Sequence, residues 1–122
     1  MKGALYGAAG TSTFCSLPAN AKVKGANEDI RVAVIGCGGR GGGHVNASLG
    51  HKNVRVAGVC DADYKRNESN ANRVESKQGS KPKIYEDYRE LCTDKDIDAV
   101  MIATPNHLHA LISILPAQNG KH

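Results

Sequence analysis

Three glycines spaced as Gly36-x-Gly38-x-x-Gly41 follow directly on an apolar run, Ile30–Ile35. In such a pattern the first glycine lets a strand turn sharply, the second lets the backbone approach an anion, and the third lets the next helix pack close to the strand. The N–H groups at the start of that helix then face the anion, which the helix dipole also favours. The spacing predicts a site for the pyrophosphate of a dinucleotide.

Asp61 stands where such a site needs a carboxylate. It ends a second apolar run, Val54–Cys60, and lies about twenty residues past the glycines, where a carboxylate can accept hydrogen bonds from an adenosine ribose. Because the chain has 14 glycines, the alternative is a glycine-rich surface loop with an unrelated aspartate. The strand before the glycines, the helix pattern after them and Asp61 together favour the dinucleotide site.

Strands and helices alternate along the rest of the chain. The four strand candidates are Ile30–Ile35, Val54–Cys60, Lys83–Tyr85 and Asp98–Ala103. Two of these runs, Val54–Cys60 and Asp98–Ala103, are almost continuously apolar, as expected for a parallel sheet covered on both faces. The pattern predicts an α/β fold: a Rossmann-like, doubly wound parallel sheet of about four strands.

The last helix carries Leu108, Leu111, Ile112 and Leu115 on one face, the i, i+3, i+4, i+7 spacing of an amphipathic helix. Pro116 is expected to end or bend this helix early. A whole dinucleotide fold uses about six strands, so residues 30–122 are predicted to be a partial domain with an open sheet edge beyond Asp98–Ala103. Such an edge invites pairing or aggregation.

Composition narrows the function classes. The 122 residues suit one domain, with 40% hydrophobic residues and a net charge of +4 that is spread thinly. Nucleic-acid binding has little support, because there is no basic block, no Trp and only 4% aromatic residues. No apolar run approaches the roughly 18 residues of a membrane span. None of the four cysteines forms C-x-x-C, and small semi-buried thiols are expected at Cys37 and Cys60.

Residues 1–29 differ from the rest, being rich in Ala, Gly, Ser and Thr. Leu17-Pro18-Ala19-Asn20-Ala21 is similar to a small-residue export cleavage site, which would be cut before Lys22. The apolar centre is weak and broken by glycines. Two interpretations therefore remain for this leader: a clipped export signal, which places the protein in the periplasm or outside the cell, or a disordered segment of a cytoplasmic protein.

With these segments placed, residues 30–122 resemble the N-terminal half of the Gfo/Idh/MocA family of oxidoreductases. The motifs that carry the resemblance are Val34-Ile35-Gly36-Cys37-Gly38-Gly39-Arg40-Gly41, Val59-Cys60-Asp61, Tyr85-x-Asp87-Tyr88, Asp96-Ile97-Asp98-Ala99-Val100 and Ala103-Thr104-Pro105-Asn106-His107-Leu108-His109. The last of these is the most specific.

The resemblance implies NAD or NADP as the cofactor. It implies Gly38, Gly39 and Arg40 at the pyrophosphate and Asp61 on the adenosine ribose. It also implies a second group of residues along the nicotinamide side. These are Thr104, Pro105, Asn106 and His109. NAD is favoured over NADP because the Asp61 carboxylate would repel a 2′-phosphate, an effect that Lys65 and Arg66 partly offset.

The family also implies hydride transfer between the nicotinamide and a sugar or polyol, and it includes NAD-dependent glycosidases. Its catalytic lysine follows a Gly-Lys-His segment, and its substrate groups lie in a C-terminal domain. Lys121 matches the lysine of Gly-Lys-His instead, so no catalytic residue is predicted here. The chain is expected to be truncated before the substrate domain, and a non-catalytic fragment is the alternative function. A homo-oligomer is a further expectation.

His107 and His109 raise the question of a metal site. Their i, i+2 spacing at a helix start does not direct both rings at one ion, and no cysteine or carboxylate completes a ligand set. No metal site is therefore predicted.

Overall fold

A computed structural model describes residues 29–122; apart from Asp29, the predicted leader with Cys15 lies outside the described residues. Four strands alternate with four helices. They are β1 (Ile30–Ile35), α1 (Gly39–Leu49), β2 (Val54–Cys60), α2 (Tyr64–Gln78), β3 (Lys83–Tyr85), α3 (Tyr88–Thr93), β4 (Ala99–Ile102) and α4 (Asn106–Gln118). Within this part of the chain no helix is both long and apolar enough to cross a bilayer.

The four strands form one parallel sheet in the order β3-β2-β1-β4. The chain first moves outward from β1 to β2 and β3, then returns to the other side of β1 to form β4. The strand order therefore reverses at β1, and the carboxyl ends of β1 and β4 flank the crevice where ligands bind in open α/β sheets. The predicted Rossmann-like fold is confirmed.

Helices cover both faces of the sheet, as the apolar strands predict. On one face Val45 of α1 and Val74 of α2 are buried against β1 and β2. On the other face Leu91 of α3 and Ile112 of α4 are buried against the opposite sides of the same strands. These two apolar layers hold the sheet rigidly beneath the glycine turn.

A bidentate ion pair fixes the position of β4 beside β1. Arg31 directs Nε and Nη2 at the two carboxylate oxygens of Asp98, each at 3.1 Å. The backbone N–H of Arg31 also donates to Asp98, at 2.8 Å. The pair joins the second residue of β1 to the residue just before β4, and so holds together the beginnings of two strands that are far apart in sequence.

The last helix differs from expectation at two positions. The helix α4 continues past Pro116 to Gln118. The proline lies in the last turn, where its own carbonyl, one of the last of the helix, accepts from the N–H groups of Asn119 and Lys121. The predicted apolar face is also narrower than expected, because Leu111 is 61% exposed whereas Ile112 is buried.

The edge of β4 that was expected to be open carries the last residue of the sequence. The N–H of His122 donates to the carbonyl of Asp98 at 3.0 Å, and its carbonyl accepts from the N–H of Val100 at 2.8 Å. Lys121 lies just before this pairing and donates from Nζ to the carbonyls of Asp94 and Ile97, at 2.7 and 2.8 Å. His122 therefore pairs with the edge of β4 through two backbone hydrogen bonds.

Candidate dinucleotide-binding site

The turn after β1 requires glycine at Gly36. Its φ of +89° lies in the left-handed region. A Cβ at this position would be 2.8 Å from the carbonyl carbon of Ala103. The N–H of Gly36 donates to the carbonyl of Cys60 at 2.8 Å. The backbone can turn here and still touch the end of β4 only because there is no side chain.

Gly41 brings α1 into direct contact with this turn. A Cβ at Gly41 would overlap the carbonyl oxygen of Gly36. The helix therefore begins immediately beside the strand end, which is the close approach that the third glycine of the motif allows. The first turn of α1 is fixed relative to the carboxyl edge of the sheet.

The start of α1 is open. Gly38 occupies the N-cap position without a side-chain cap, and the first turn contains no acidic residue. A Cβ at Gly39 would meet no atom within 4 Å. Gly39 and Arg40 are both exposed. The free N–H groups of this turn, the helix dipole and the Arg40 guanidinium make the position favourable for an anion.

Asp61 fastens the glycine turn from the neighbouring strand. Its Oδ2 accepts from the backbone N–H of Cys37 at 2.6 Å, and its Oδ1 accepts from the N–H of Asp63 at 2.8 Å. The carboxylate is half-buried. Each oxygen has a second lone pair, so the group can still accept hydroxyl hydrogen bonds while it holds the turn.

Asn70 of α2 holds the same peptide from the other side. Its Nδ2 donates to the carbonyl of Cys37 at 3.1 Å and to that of Arg66 at 2.9 Å. Both the N–H and the carbonyl of Cys37 are therefore bound by side chains from outside the turn. One turn earlier, Asn67 donates to the carbonyls of Asp61 and Tyr85 at 2.9 and 3.4 Å. The two amides tie α2 to the carboxyl ends of β2 and β3 and to the turn after β1.

The sequence did contain a signal for these two asparagines. Asn67 and Asn70 share a helix face with Ala71 and Val74, at i, i+3, i+4 and i+7. All four residues are buried. Two amides within the apolar stripe of an otherwise polar helix indicate buried hydrogen-bond partners.

The second group of predicted residues follows β4. Thr104 is half-buried, and its Oγ1 has no hydrogen-bond partner among the described residues. Pro105 occupies the N-cap position of α4 without a side-chain hydrogen bond, and Asn106 is the first residue of the helix; both are exposed. His109 reaches back with Nε2 at 2.6 Å from the carbonyl of Thr104. Since a carbonyl can only accept, Nε2 is the donor in this hydrogen bond.

The two groups adjoin through backbone contact between Gly36 and the Ala103–Thr104 peptide, whose N would be 3.0 Å from a Cβ at Gly36. One continuous edge therefore offers an open helix start, a carboxylate and an unsatisfied buried hydroxyl. These are the donors and acceptors that phosphates and ribose hydroxyls require. The residues present fit a dinucleotide.

Burial keeps the two thiols near the turn, Cys37 and Cys60, in their protonated form. Burial raises the pKa of the Cys37 thiol to about 11 and that of the Cys60 thiol to about 12. Both groups stay protonated at neutral pH, and the thiolate is the reactive form. Within residues 29–122, no group of three histidine, cysteine or acidic side chains is arranged to hold a metal ion.

A model of an oxidoreductase family with an NAD-binding Rossmann fold, GFO_IDH_MocA, matches residues 30–122. The chain belongs to the Gfo/Idh/MocA oxidoreductase family. The matched residues contain all four strands and both groups of site residues, so they form an NAD-binding Rossmann domain of this family.

Known proteins resemble this domain over most of its length. A glycosyl hydrolase family 109 protein of Streptomyces coelicolor is 37% identical over 101 residues, 80% of this chain and 21% of that protein. An alpha-N-acetylgalactosaminidase of Shewanella oneidensis is 33% identical over 99 residues, 78% of this chain and 22% of that protein. The chain thus spans about a fifth of the length of the curated relatives it matches.

A solved structure shares the architecture. The myo-inositol dehydrogenase from Lactobacillus casei, in complex with NAD(H) and myo-inositol, has a TM-score of 0.69 and is 26% identical. The match covers 76% of this chain and 26% of that one.

Proposed function

We propose that this domain supplies the cofactor site of an NAD-dependent enzyme that acts on a sugar, a polyol or a related alcohol. The open start of α1 behind the glycine turn is the observation that carries the proposal. A bound NAD would supply the acceptor for a hydride from a carbinol carbon. The domain's own residues bind and orient the cofactor.

Each predicted residue has a role in this proposal. The N–H groups at Gly38 and Gly39 and the guanidinium of Arg40 bind the pyrophosphate, while Gly36 and Gly41 provide the close packing that exposes them. Asp61 accepts hydrogen bonds from the adenosine ribose.

The residues after β4 lie along the nicotinamide side in this proposal. They are Thr104, Pro105, Asn106 and His109. The unpartnered Oγ1 of Thr104 supports a contact with bound cofactor. The hydrogen bond from His109 to the Thr104 carbonyl orients the loop. NAD is preferred to NADP because Asp61 presents a negative charge where a 2′-phosphate would lie.

A glycosidase is the second candidate function. It is supported by the names of the curated relatives, which include glycosyl hydrolase family 109 proteins and an alpha-N-acetylgalactosaminidase. In that case oxidation of the sugar would be transient, and the enzyme would return its NAD to the starting state. An export signal in residues 1–29 would suit this function, since it would carry the enzyme to glycosides outside the cytoplasm.

Catalysis in either case is proposed to need groups beyond this cofactor site, in a substrate-binding domain or another subunit of a homo-oligomer. Lys121 does not serve, because its Nζ is engaged by the carbonyls of Asp94 and Ile97. The alternative of a chain that binds NAD without turning over a substrate therefore remains part of the proposal.

Turnover assays distinguish these functions. The 122-residue chain is incubated with NAD and either myo-inositol or a chromogenic N-acetylgalactosaminide, and NADH and released chromophore are followed separately. Net NADH formation supports the dehydrogenase, and NAD-dependent chromophore release without net NADH supports the glycosidase. Saturable NAD binding without either product shows that the 122-residue chain by itself only binds the cofactor, and that catalysis needs groups outside it.

A further inference from the structure

A groove beside the glycine turn runs between α1 and α2 and has a volume of about 570 Å³. Glycines of the turn and of α1 line one wall. The other wall is formed by α2, which contributes three cations: Lys65, Arg66 and Arg73. A groove with this lining attracts an anionic group.

Among the three cations on α2, Arg66 lies beside the start of α1. Its Nη1 would be 3.4 Å from a Cβ at Gly38, so the guanidinium lies over the N-cap of that helix. Its Nε is 3.4 Å from Oδ2 of Asp63. The two side chains are 57% and 49% exposed, so a ligand in the groove can reach both members of this ion pair.

The carboxylates of Asp61 and Asp63 have different hydrogen-bond partners. Asp61 accepts backbone hydrogen bonds from Cys37 and Asp63. Asp63 caps α2 through Oδ1, which accepts from the N–H of Lys65 at 3.0 Å, and pairs with Arg66 through Oδ2. Within residues 29–122, neither Lys65 nor Arg73 has a carboxylate at ion-pair distance. Asp63 is thus the carboxylate that neutralises a cation of the groove.

We propose that Asp63 is a specificity-determining residue, which withholds Arg66 from anions and so biases the site against a dinucleotide with a 2′-phosphate on its adenosine ribose. The inference rests on the proposed binding of NAD at the glycine turn. The 2′-phosphate is a dianion for which a free guanidinium is a strong hydrogen-bond partner. While Asp63 is charged, Arg66 is already paired. Asp63 also adjoins the proposed ribose ligand, because its N–H donates to Oδ1 of Asp61 at 2.8 Å.

The test is the substitution Asp63→Asn, which removes the charge but keeps an oxygen to cap α2. Dissociation constants of the 122-residue chain for NAD and NADP are measured by isothermal titration calorimetry at low ionic strength. We expect NADP to bind about fivefold to tenfold more tightly to the variant, as one freed charge-assisted contact implies. The affinity for NAD should change less than about twofold. Asp63→Ser, which also retains a capping oxygen, should behave in the same way.

Asp87→Asn is a matched control on the opposite side of the sheet. Asp87 caps α3 by accepting from the N–H of Arg89 at 2.9 Å, and its Oδ2 is 3.5 Å from Nη1 of Arg89. The substitution removes the same charge from the same kind of cap, away from the groove. Its ratio of NADP to NAD affinity should equal that of the parent chain. An equal gain in both variants would show a net-charge effect and would overturn the proposal.

A double variant tests the role of Arg66. In Asp63→Asn/Arg66→Gln the gain in NADP affinity should disappear, because no guanidinium remains to be released. If Asp63→Asn binds NAD but leaves the ratio of affinities unchanged, the role of Asp63 is wrong while the proposed NAD site stands. Circular dichroism checks that the parent chain is folded. If the folded chain binds neither dinucleotide, the proposed cofactor site is wrong, and so is the proposed role of Asp63 in specificity.

Discussion

The carboxylate of Asp61 accepts a hydrogen bond from the backbone N–H of Cys37, with 2.6 Å between Oδ2 and N. The residue predicted to bind ribose therefore also holds the turn that is predicted to bind pyrophosphate. The two parts of the cofactor site share one side chain, so a change at Asp61 should affect both binding and stability.

Replacing Asp61 by Ala should weaken NAD binding about tenfold to a hundredfold, because a charged acceptor is lost. The N–H groups of Cys37 and Asp63 lose their partner as well, so the free energy of unfolding should fall by about 1–3 kcal/mol. Calorimetric titration and urea unfolding measure the two effects. Asp61→Asn retains one acceptor oxygen and should lose less stability than Asp61→Ala. An unchanged NAD affinity in both variants would show that Asp61 does not contact the ribose.

Gly41→Ala should destabilise the domain by about 3 kcal/mol, the upper range for forcing a group into a packed site. The added Cβ would overlap the carbonyl oxygen of Gly36, so the helix or the turn must move. Gly43→Ala is the control in the same helix, since a Cβ there meets no atom within 4 Å. It should stabilise the domain by about 0.5–1 kcal/mol through helix propensity. Equal effects of the two substitutions in thermal unfolding would contradict the close packing of α1 on the turn.

Asn70→Ala should both destabilise the domain and weaken NAD binding. The carbonyls of Cys37 and Arg66 lose their donor, and the cost of one unpaired buried group is about 1–3 kcal/mol. Asn72→Ala, at an exposed position of the same helix, removes the same side chain from α2 without touching the turn. It should leave the free energy of unfolding within about 0.5 kcal/mol of the parent and NAD affinity unchanged. Retained NAD affinity in Asn70→Ala would mean that the turn keeps its shape without this amide.

Because of Asp94, the stability of the fold is expected to decrease as the pH falls in the acid range. Its carboxylate accepts from the backbone N–H of Asp96, the Tyr85 hydroxyl and the Lys83 ammonium, which lower its pKa from 3.8 to about 2. A carboxyl whose pKa is depressed by folding stabilises the fold above its unfolded pKa. That contribution is lost as the pH falls from about 4 through about 2.

Between about pH 5 and about pH 2 the parent chain should therefore lose about 2 kcal/mol more stability than Asp94→Asn, in which this titration is absent. Urea unfolding at a series of pH values gives the two slopes. Glu68→Gln removes an exposed carboxylate of α2 and should keep the slope of the parent. Parallel curves for the parent and Asp94→Asn would show that the carboxyl is not stabilised by these partners.

The strands and the glycine turn could be predicted because their causes are local. Apolar runs mark β1 and β2, and the conformation of Gly36 follows from a turn that no other residue adopts readily. The prediction of which side chains are buried failed where burial depends on tertiary contacts. Leu111 has the spacing of a buried residue, yet the sheet covers only part of the apolar face of α4 and leaves this side chain exposed.

The hydrogen bond from Asn70 to the carbonyl of Cys37 could not be predicted for the same reason. Asn70 lies 33 residues from the carbonyl it binds, and the buried amide pattern of α2 indicates a partner without identifying it. The hydrogen bond from the Cys37 N–H to Asp61 could not be predicted either. The spacing between the glycines and Asp61 predicts a ribose ligand, and it is the same whether or not the carboxylate also holds the turn.

Titration of the 122-residue chain with NAD, followed by isothermal titration calorimetry with circular dichroism as a check of folding, tests the central claim most directly. The glycine turn, Asp61 and the open start of α1 predict saturable binding of one NAD per chain, weakened by Asp61→Ala. A folded chain that shows no saturable binding at millimolar NAD would contradict the claim that these residues form a dinucleotide site.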